Sequence, residues 1–399
     1  MTLNNVKEIF DTYKLHSKEI EIPLEQIKRE LKPYENKIVL YGAGSAGIAF
    51  LHYLKDAEII PRYFADGDKE KHGKICEGLE IIAPETIIER IGSDALVIVT
   101  INTDGQNYCK DFKKELLAGG HQGVHKHLRE CGCVNVIDYV YFRRCYQLFR
   151  GEKYNLPACS DVYFMLENQD MIEKAFSVME SERAKATFLK LLEFRMLTDR
   201  VDIPTSPEKG MYFEYDFFQR KDDEVFIDCG ACGGSSLSEF LEINHHCFKA
   251  YYGIEPDPTN FDKLEKFISC LLESDRGKMK IYNAAAYAHN KGTNFFILNG
   301  PGSFQAENGT DKVKTIKIDD ILNKEAATYI KMNIEGSEVS ALRGAEYTIR
   351  NYYPRMAIMG YHKTSDLWKV PLLIKEYYGD YHLELRSYMR NVAFTYYAF

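Results

Sequence analysis

The sequence predicts an α/β protein made of two Rossmann-like, doubly wound domains joined by a helical connector. Three observations carry this. Two passages read strand, glycine turn, helix: Lys37-Ile-Val-Leu-Tyr-Gly-Ala-Gly-Ser-Ala-Gly47 and Val225-Phe-Ile-Asp-Cys-Gly-Ala-Cys-Gly-Gly-Ser-Ser236. After each, short apolar runs alternate with helix-period stretches, the pattern of a parallel sheet covered by helices. Between them, residues 139–210 show helical spacing (Phe188, Leu191, Leu192, Met196) and no strand alternation.

Taken in order, residues 1–36 are charged with a loose apolar face (Ile9, Phe10, Tyr13, Ile20, Ile27), which predicts a helical arm. The first α/β domain spans 37–138. Its expected elements are a strand at 37–41, a helix through Ile48–Leu54, a strand Arg62–Asp66, a helix from Pro84, a strand Ala95–Ile101, a helix Gln106–Leu117 and a strand Val134–Ile137. Gly42, Gly44 and Gly47 match G-x-G-x-x-G, and Asp66 lies nineteen residues beyond, close to where a ribose-binding acid belongs. A nucleotide site is one reading. The other is that the glycines serve only helix–strand packing. His121-Gln-Gly-Val-His-Lys-His127 with Cys131 and Cys133 matches no common zinc spacing, so it reads as a polar loop and no metal site is assigned. Pro204, Ser206, Pro207 and Gly210 end the connector.

The second domain spans 211–399. Strands are expected at 224–228, 248–254, 280–286, 294–298, 313–318, 329–333 and 356–361, with closing strands at 381–387 and 391–398. Helices are expected from Ser235 and over 260–272, 339–350 and 367–377.

Composition excludes several classes. With 45% hydrophobic and 28% charged residues the chain supports packed cores, and a net charge of −8 disfavours a nonspecific nucleic-acid binder. No run of eighteen apolar residues predicts a membrane span. The start, Met1-Thr-Leu-Asn-Asn-Val-Lys-Glu, lacks a signal-peptide core, and ten cysteines form no disulfide framework, so a cytoplasmic setting is expected. The oligomeric state is not legible.

In an open α/β sheet, ligands bind beyond the carboxyl ends of the strands. Polar residues gather there in the second domain. Asp228 ends the first strand, before Gly230 and Gly233. A carboxylate there repels a pyrophosphate and attracts an ammonium, which S-adenosylmethionine carries. Glu255, twenty-two residues past Gly233, is placed for both ribose hydroxyls, with Asp257 following. Asn283 and Ala284 leave room for adenine. Asn333 and Glu335 end the fourth strand, and Tyr361 and His362 the fifth. His362 is the first candidate for general base and Glu335 the second, with Lys331, Asn333, Glu338, Tyr361 and Asp366 as candidate acceptor contacts. Alternatively His362 is a structural histidine and Glu335 a helix-dipole carboxylate. Cys229-Gly-Ala-Cys232 is formally C-x-x-C, but the glycine loop accounts for it without redox chemistry.

Phe226-Ile-Asp-Cys-Gly-Ala resembles the opening motif of FkbM-type methyltransferases. Ile330-Lys-Met-Asn-Ile-Glu-Gly-Ser-Glu-Val-Ser-Ala-Leu-Arg-Gly-Ala345 resembles that family's most characteristic stretch, and Pro354 to Pro371, with Tyr361-His362 and Asp366-Leu-Trp368, is similar to its third. The resemblance covers about 211–399. It implies a class I methyltransferase fold and S-adenosylmethionine-dependent O-methylation, commonly of sugar or glycan hydroxyls. The N-terminal part resembles small nucleotide-binding-type domains attached to sugar-processing enzymes. The family usually shows Lys-x-Asp-x-Glu-Gly, whereas Asn333 stands at the Asp position here. An amide cannot act as general base and ligates cations poorly. Two competing readings follow: an NAD-dependent sugar oxidoreductase or epimerase using Gly42–Gly47, or a non-catalytic scaffold in glycan assembly.

Overall fold

The structure, a computed structural model, describes residues 5–101, 111–118, 122–151, 153–154, 156, 159–197, 203–207, 209–214, 216–298, 302–388 and 393–399. The chain divides into two units, Met1–Asn168 with Leu192–Asp202, and Gln169–Leu191 with Ile203–Phe399.

In the first unit, Ile38–Tyr41 (β1), Tyr63–Ala65 (β2), Ile75–Cys76 (β3), Leu79–Ile82 (β4), Leu96–Val99 (β5) and Asn135–Asp138 (β6) form one sheet, ordered β3-β4-β2-β1-β5-β6. Every residue of β1 and β5 is buried, as expected of central strands covered on both faces. All pairings are parallel except the short β3–β4 hairpin. That hairpin has no counterpart in the sequence reading, because Ile75-Cys76 is too short to show a period.

The second sheet contains Val225–Cys229 (β7), Ala250–Ile254 (β8), Met279–Tyr282 (β9), Tyr329–Met332 (β10), Arg355–Met359 (β11), Leu383–Tyr388 (β12) and Ala393–Ala398 (β13). Its order is β12-β13-β11-β10-β7-β8-β9. The strands from β9 to β11 run parallel, and β13 inserts antiparallel between β11 and β12. The chain moves outward from β7 through β9, then returns to place β10 on the other side of β7. A crevice therefore opens beside β7 at its carboxyl end. The doubly wound expectation holds, including the closing hairpin.

Phe213, Phe218, Phe226, Phe240 and Tyr329 pack as one aromatic group beneath this end, with Phe213 ring centroids 5.0–6.0 Å from the other four. Such tilted and edge-on contacts favour rings beyond the area they bury.

Several expected elements differ in detail. The strand expected at 280–286 breaks at Asn283: β9 ends at Tyr282, and Ala285–Ala286 pairs instead with Thr315–Ile316. Thr293–Phe296 joins a separate three-stranded antiparallel sheet with Phe304–Gln305 and Asp311–Val313. The helix expected over 339–350 is two, Glu338–Arg343 and Glu346–Tyr352, parted at Gly344, where an added Cβ would lie 2.1 Å from the Tyr287 carbonyl oxygen. The stretch after His121 is a helix, Gln122–Glu130, rather than a polar loop; Leu128 is fully buried on its inner face. His121 and residues 106–110 of an expected helix lie outside the described residues, and Phe112–Ala118 is helical. No helix among the described residues is long and apolar enough to cross a membrane.

Candidate active site

Beyond the carboxyl ends of β7, β8 and β10 lies a cleft enclosing about 660 Å³ of non-atom space, part of it open to solvent. Gly230, Glu255, Asn333, Glu335 and Ser337 are on its wall. The glycine turn that forms one side is dictated by close approach: Gly230 has φ +81°, and a Cβ there would sit 2.0 Å from the Asn333 carbonyl oxygen. Gly233 (φ +73°) and Gly234 (φ +97°) carry the chain into the helix Ser235–Asn244.

Glu255 is 4% exposed and uses both oxygens on the turn. Its Oε2 accepts from the Cys232 N–H at 2.9 Å and its Oε1 from the Asp257 N–H at 2.9 Å. Burial pushes its carboxyl up, with those two N–H groups opposing. Each oxygen has capacity to accept one further hydrogen bond. Asp257 caps the helix Pro258–Ser269 by accepting from the Asn260 N–H, and its other oxygen accepts from Ser303 Oγ at 2.6 Å. Asn283 and Ala284 do not line this cleft. They line a neighbouring one that shares Pro256 with it, and the Asn283 amide donates to the Glu255 and Pro256 carbonyls.

Asp228 is fully buried and absent from the cleft wall. Its Oδ1 pairs with Lys331 Nζ at 3.0 Å, and its Oδ2 accepts from Ser236 Oγ at 2.5 Å and Tyr251 OH at 3.1 Å. The charge expected to hold a ligand ammonium is thus neutralised by the protein's own ammonium. Lys331, 2% exposed, also donates to the Cys229 and Gly230 carbonyls at 3.3 and 2.7 Å, fixing the turn. Burial is the largest single influence and lowers its pKa, but Asp228, Tyr212 and Cys229 together outweigh it and hold it above the ordinary lysine value. Lys331 is therefore a structural cation under the turn and is not positioned to touch an acceptor.

His362 is buried with Nδ1 2.8 Å from Glu338 Oε1 and Nε2 3.7 Å from Glu335 Oε1. Neither ring N–H is aligned for a regular hydrogen bond, so the contacts are ionic. Burial pushes the imidazole down, yet Glu338 and Glu335 together raise it to about 9. At neutral pH it is an imidazolium with no free lone pair, which removes the premise for His362 as base. Glu338 is fully buried and accepts from the Ile334 and Gly336 N–H groups; Asp366 accepts from the Lys363 N–H. Both carboxylates belong to a buried network with His362 instead of facing the cleft.

Glu335 does face it, with its side chain 25% exposed. Its φ of +53° places a non-glycine residue in the left-handed region, a strain that persists where surrounding structure enforces it. Asn333 Nδ2 donates to Tyr212 OH at 2.8 Å, while Asn333 Oδ1 and Ser337 Oγ are buried without a partner. Both atoms belong to residues on the cleft wall. Buried polar atoms left unmatched in this way call for an occupant. Tyr361 packs against His362 with ring centroids 4.2 Å apart.

Sequence reasoning missed Tyr212, Ser337 and Ser303. Tyr212 precedes β7 in an aperiodic turn and gives no pattern, and Ser337 lies in the Ile330–Ala345 stretch with nothing in its spacing to set it apart. The Cys229 thiol is pushed up by burial, which leaves no thiolate at the helix start; the nine described cysteines are free.

In the first unit, Gly42 has φ +111°, and a Cβ at Gly47 would lie 1.9 Å from the Gly42 carbonyl oxygen, so both glycines are required by packing. Gly44 faces open space. Asp66 accepts from the Ala43 and Asp68 N–H groups and pairs with Lys71, each at 2.9 Å. Burial raises its pKa, but these donors outweigh burial and hold it below the usual carboxylate range. Asp66 thus ties the turn together with the oxygens that a ribose would need.

Residues 228–396 match the family model described as the methyltransferase FkbM domain. A solved structure of a methyltransferase FkbM from Methylobacillus flagellatus KT is similar over 99% of this chain and 100% of its own, at 20% identity and a TM-score of 0.64, which places the two in one fold. UDP-D-quinovosamine 4-dehydrogenase from Vibrio fischeri (22% identity, 26% of this chain and 77% of its own, TM-score 0.18) and the N-terminal domain of human METTL16 in complex with SAH (10%, 60%, 93%, 0.29) match too weakly to argue from. No curated protein matches.

Proposed function

We propose that the chain, whose residues 228–396 match the methyltransferase FkbM domain, is an S-adenosylmethionine-dependent O-methyltransferase acting on a hydroxyl of a sugar or glycan precursor. The observation that supports it most is the cleft at the switch point, where Glu255 stands on one side and the unmatched Asn333 Oδ1 and Ser337 Oγ on the other.

Glu255, anchored at both oxygens by backbone N–H groups, would accept the two ribose hydroxyls of the donor. Asp257 and Asn260 shape the adenosine side through the helix start, and Asn283 and Ala284 extend it toward the second cleft. Gly230 keeps the turn packed against the Asn333 carbonyl, which fixes the backbone along which the methionyl end would lie. When bound, the donor supplies an electrophilic methyl carbon on a sulfonium, so the protein chiefly has to align an acceptor in line with it. Asn333 and Tyr212 would hydrogen-bond that acceptor. Glu335, the only proposed base that reaches the cleft, takes the hydroxyl proton as attack proceeds. His362 holds Glu335 ionised from behind, as a positioning residue. The amide at 333 is compatible with this division of labour because base and positioning roles fall on different residues.

The oxidoreductase or epimerase reading draws less support, since Asp66 is already engaged by Ala43, Asp68 and Lys71. Calorimetry tests the choice. Binding of S-adenosylmethionine and its demethylated product, with weak or no binding of NAD, is expected. Tight NAD binding with neither of the other two overturns the proposal. Transfer of labelled methyl to a panel of free and nucleotide-linked sugars then reads the acceptor class; donor binding with no transfer to any of them would favour the scaffold.

A further inference from the structure

The helix Gln122–Glu130 places His127 and Cys131 four residues apart, so both project on one side of its last turn. Glu85, in the turn Pro84–Thr86, reaches the same point. His127 Nε2 is 3.7 Å from Glu85 Oε1 and 3.9 Å from Cys131 Sγ, and all three ligand atoms lie within 4.8 Å of one another. Both carriers are anchored: Leu128 and Ile87 are fully buried in one core with Cys133. Gly132, at φ +88°, stops the helix there, and the Cys131 N–H closes on the His127 carbonyl at 3.0 Å.

We propose that Glu85, His127 and Cys131 form a binding site for a soft divalent cation of the Zn²⁺ type, with a fourth position left to water. The distances are close to what such an ion demands. Tetrahedral Zn²⁺, with Zn–S of about 2.3 Å and Zn–N of about 2.0 Å, sets sulfur and nitrogen about 3.6 Å apart. Nitrogen and carboxylate oxygen come to about 3.4 Å in the same geometry. Contraction by about 0.3 Å on the two edges at His127, with the exposed Glu85 side chain closing the third from within 4.8 Å, completes the set. The ligand set of thiolate, imidazole and carboxylate suits zinc and excludes Mg²⁺ or Ca²⁺, which need oxygen. Without an ion, burial and the neighbouring Glu85 and Glu130 push the thiol up and keep it protonated. Binding replaces that proton, which leaves to solvent, with a Zn–S bond. The site is absent from common zinc spacings because Glu85 comes from a distant turn.

The test uses the full chain, stripped with chelator and titrated with Co²⁺, then Zn²⁺. One equivalent of Co²⁺ should give a thiolate-to-metal charge-transfer band, removed on displacement by Zn²⁺. The buried Glu338–His362–Asp366 group contains no sulfur and cannot give that band. Cys131→Ser should abolish it and weaken Zn²⁺ binding at least about 100-fold, with His127→Ala behaving alike. If either variant misfolds by circular dichroism, Glu85→Gln at an exposed position should still weaken binding about 10-fold. A wild-type protein that shows no such band, or a band that survives in Cys131→Ser, overturns the proposal.

Discussion

Replacing Lys331 with Met is the most informative perturbation of the second unit. The substitution keeps most of the side-chain volume but removes the ammonium, leaving Asp228 a fully buried carboxylate with only the Ser236 and Tyr251 hydroxyls as donors. Breaking a buried ion pair from one side costs about 3–5 kcal/mol. Two neutral donors remain on Asp228, which favours the lower end, while the Cys229 and Gly230 carbonyls lose their donor as well. A loss of about 3 kcal/mol lowers the melting temperature of a unit this size by roughly 6–12 °C. The assay is built in. The chain has one tryptophan, Trp368, 1% exposed in the second unit, so its fluorescence in a urea titration follows that unit alone. Adding Asp228→Asn to Lys331→Met removes the orphaned charge and should recover about 1–2 kcal/mol. A single variant within about 1 kcal/mol of the parent, or a double variant losing the full sum of both singles, refutes the argument that Lys331 neutralises Asp228.

Glu335→Gln should lower turnover by about 10²–10⁴-fold while leaving donor affinity intact, read by labelled-methyl transfer alongside calorimetry. His362 titrates at about 9 in the folded protein against an ordinary 6.5, so the stability it contributes is complete below pH 6.5 and lost as pH rises through 9. That amounts to about 3 kcal/mol, and a Trp368 unfolding series from pH 6 to 10 should show it, with the decline above pH 7 absent in His362→Gln. Asp366, raised to about 7 chiefly by burial, adds a decline of the same sign at lower pH. Gly230→Ala forces a Cβ against the Asn333 carbonyl at a positive φ and should cost more than about 1 kcal/mol in the same assay; an unchanged midpoint would mean the turn is mobile enough to move aside.

The strands and glycine turns were legible because their periodicity and composition are local signals, whereas the order of strands in each sheet was not. The residues at strand ends were legible as a set, since parallel strands put their carboxyl ends on one edge. Individual roles were not. Asp228 and Glu255 look alike in sequence, but burial and a partner 103 positions away turn the first into half of an ion pair and leave the second on the cleft. His362 looked like a neutral imidazole because its two carboxylate neighbours are set by tertiary packing. Gly47 and Gly230 were legible as required glycines, though the atoms that require them are backbone carbonyls and not a ligand.

The matched segment opens at Asp228, yet Phe213 and Phe218 lie ahead of it and fill the space between Phe226, Phe240 and Tyr329. Tyr212 likewise comes from upstream to hold the Asn333 amide. The heritable module is consequently longer than its signature: a recombination event with its crossover just before β7 would deliver the motifs with a hole in the floor beneath them. Exchanges that retain function should break the chain earlier, before Tyr212, and swaps of this domain between proteins should carry that aromatic leader along.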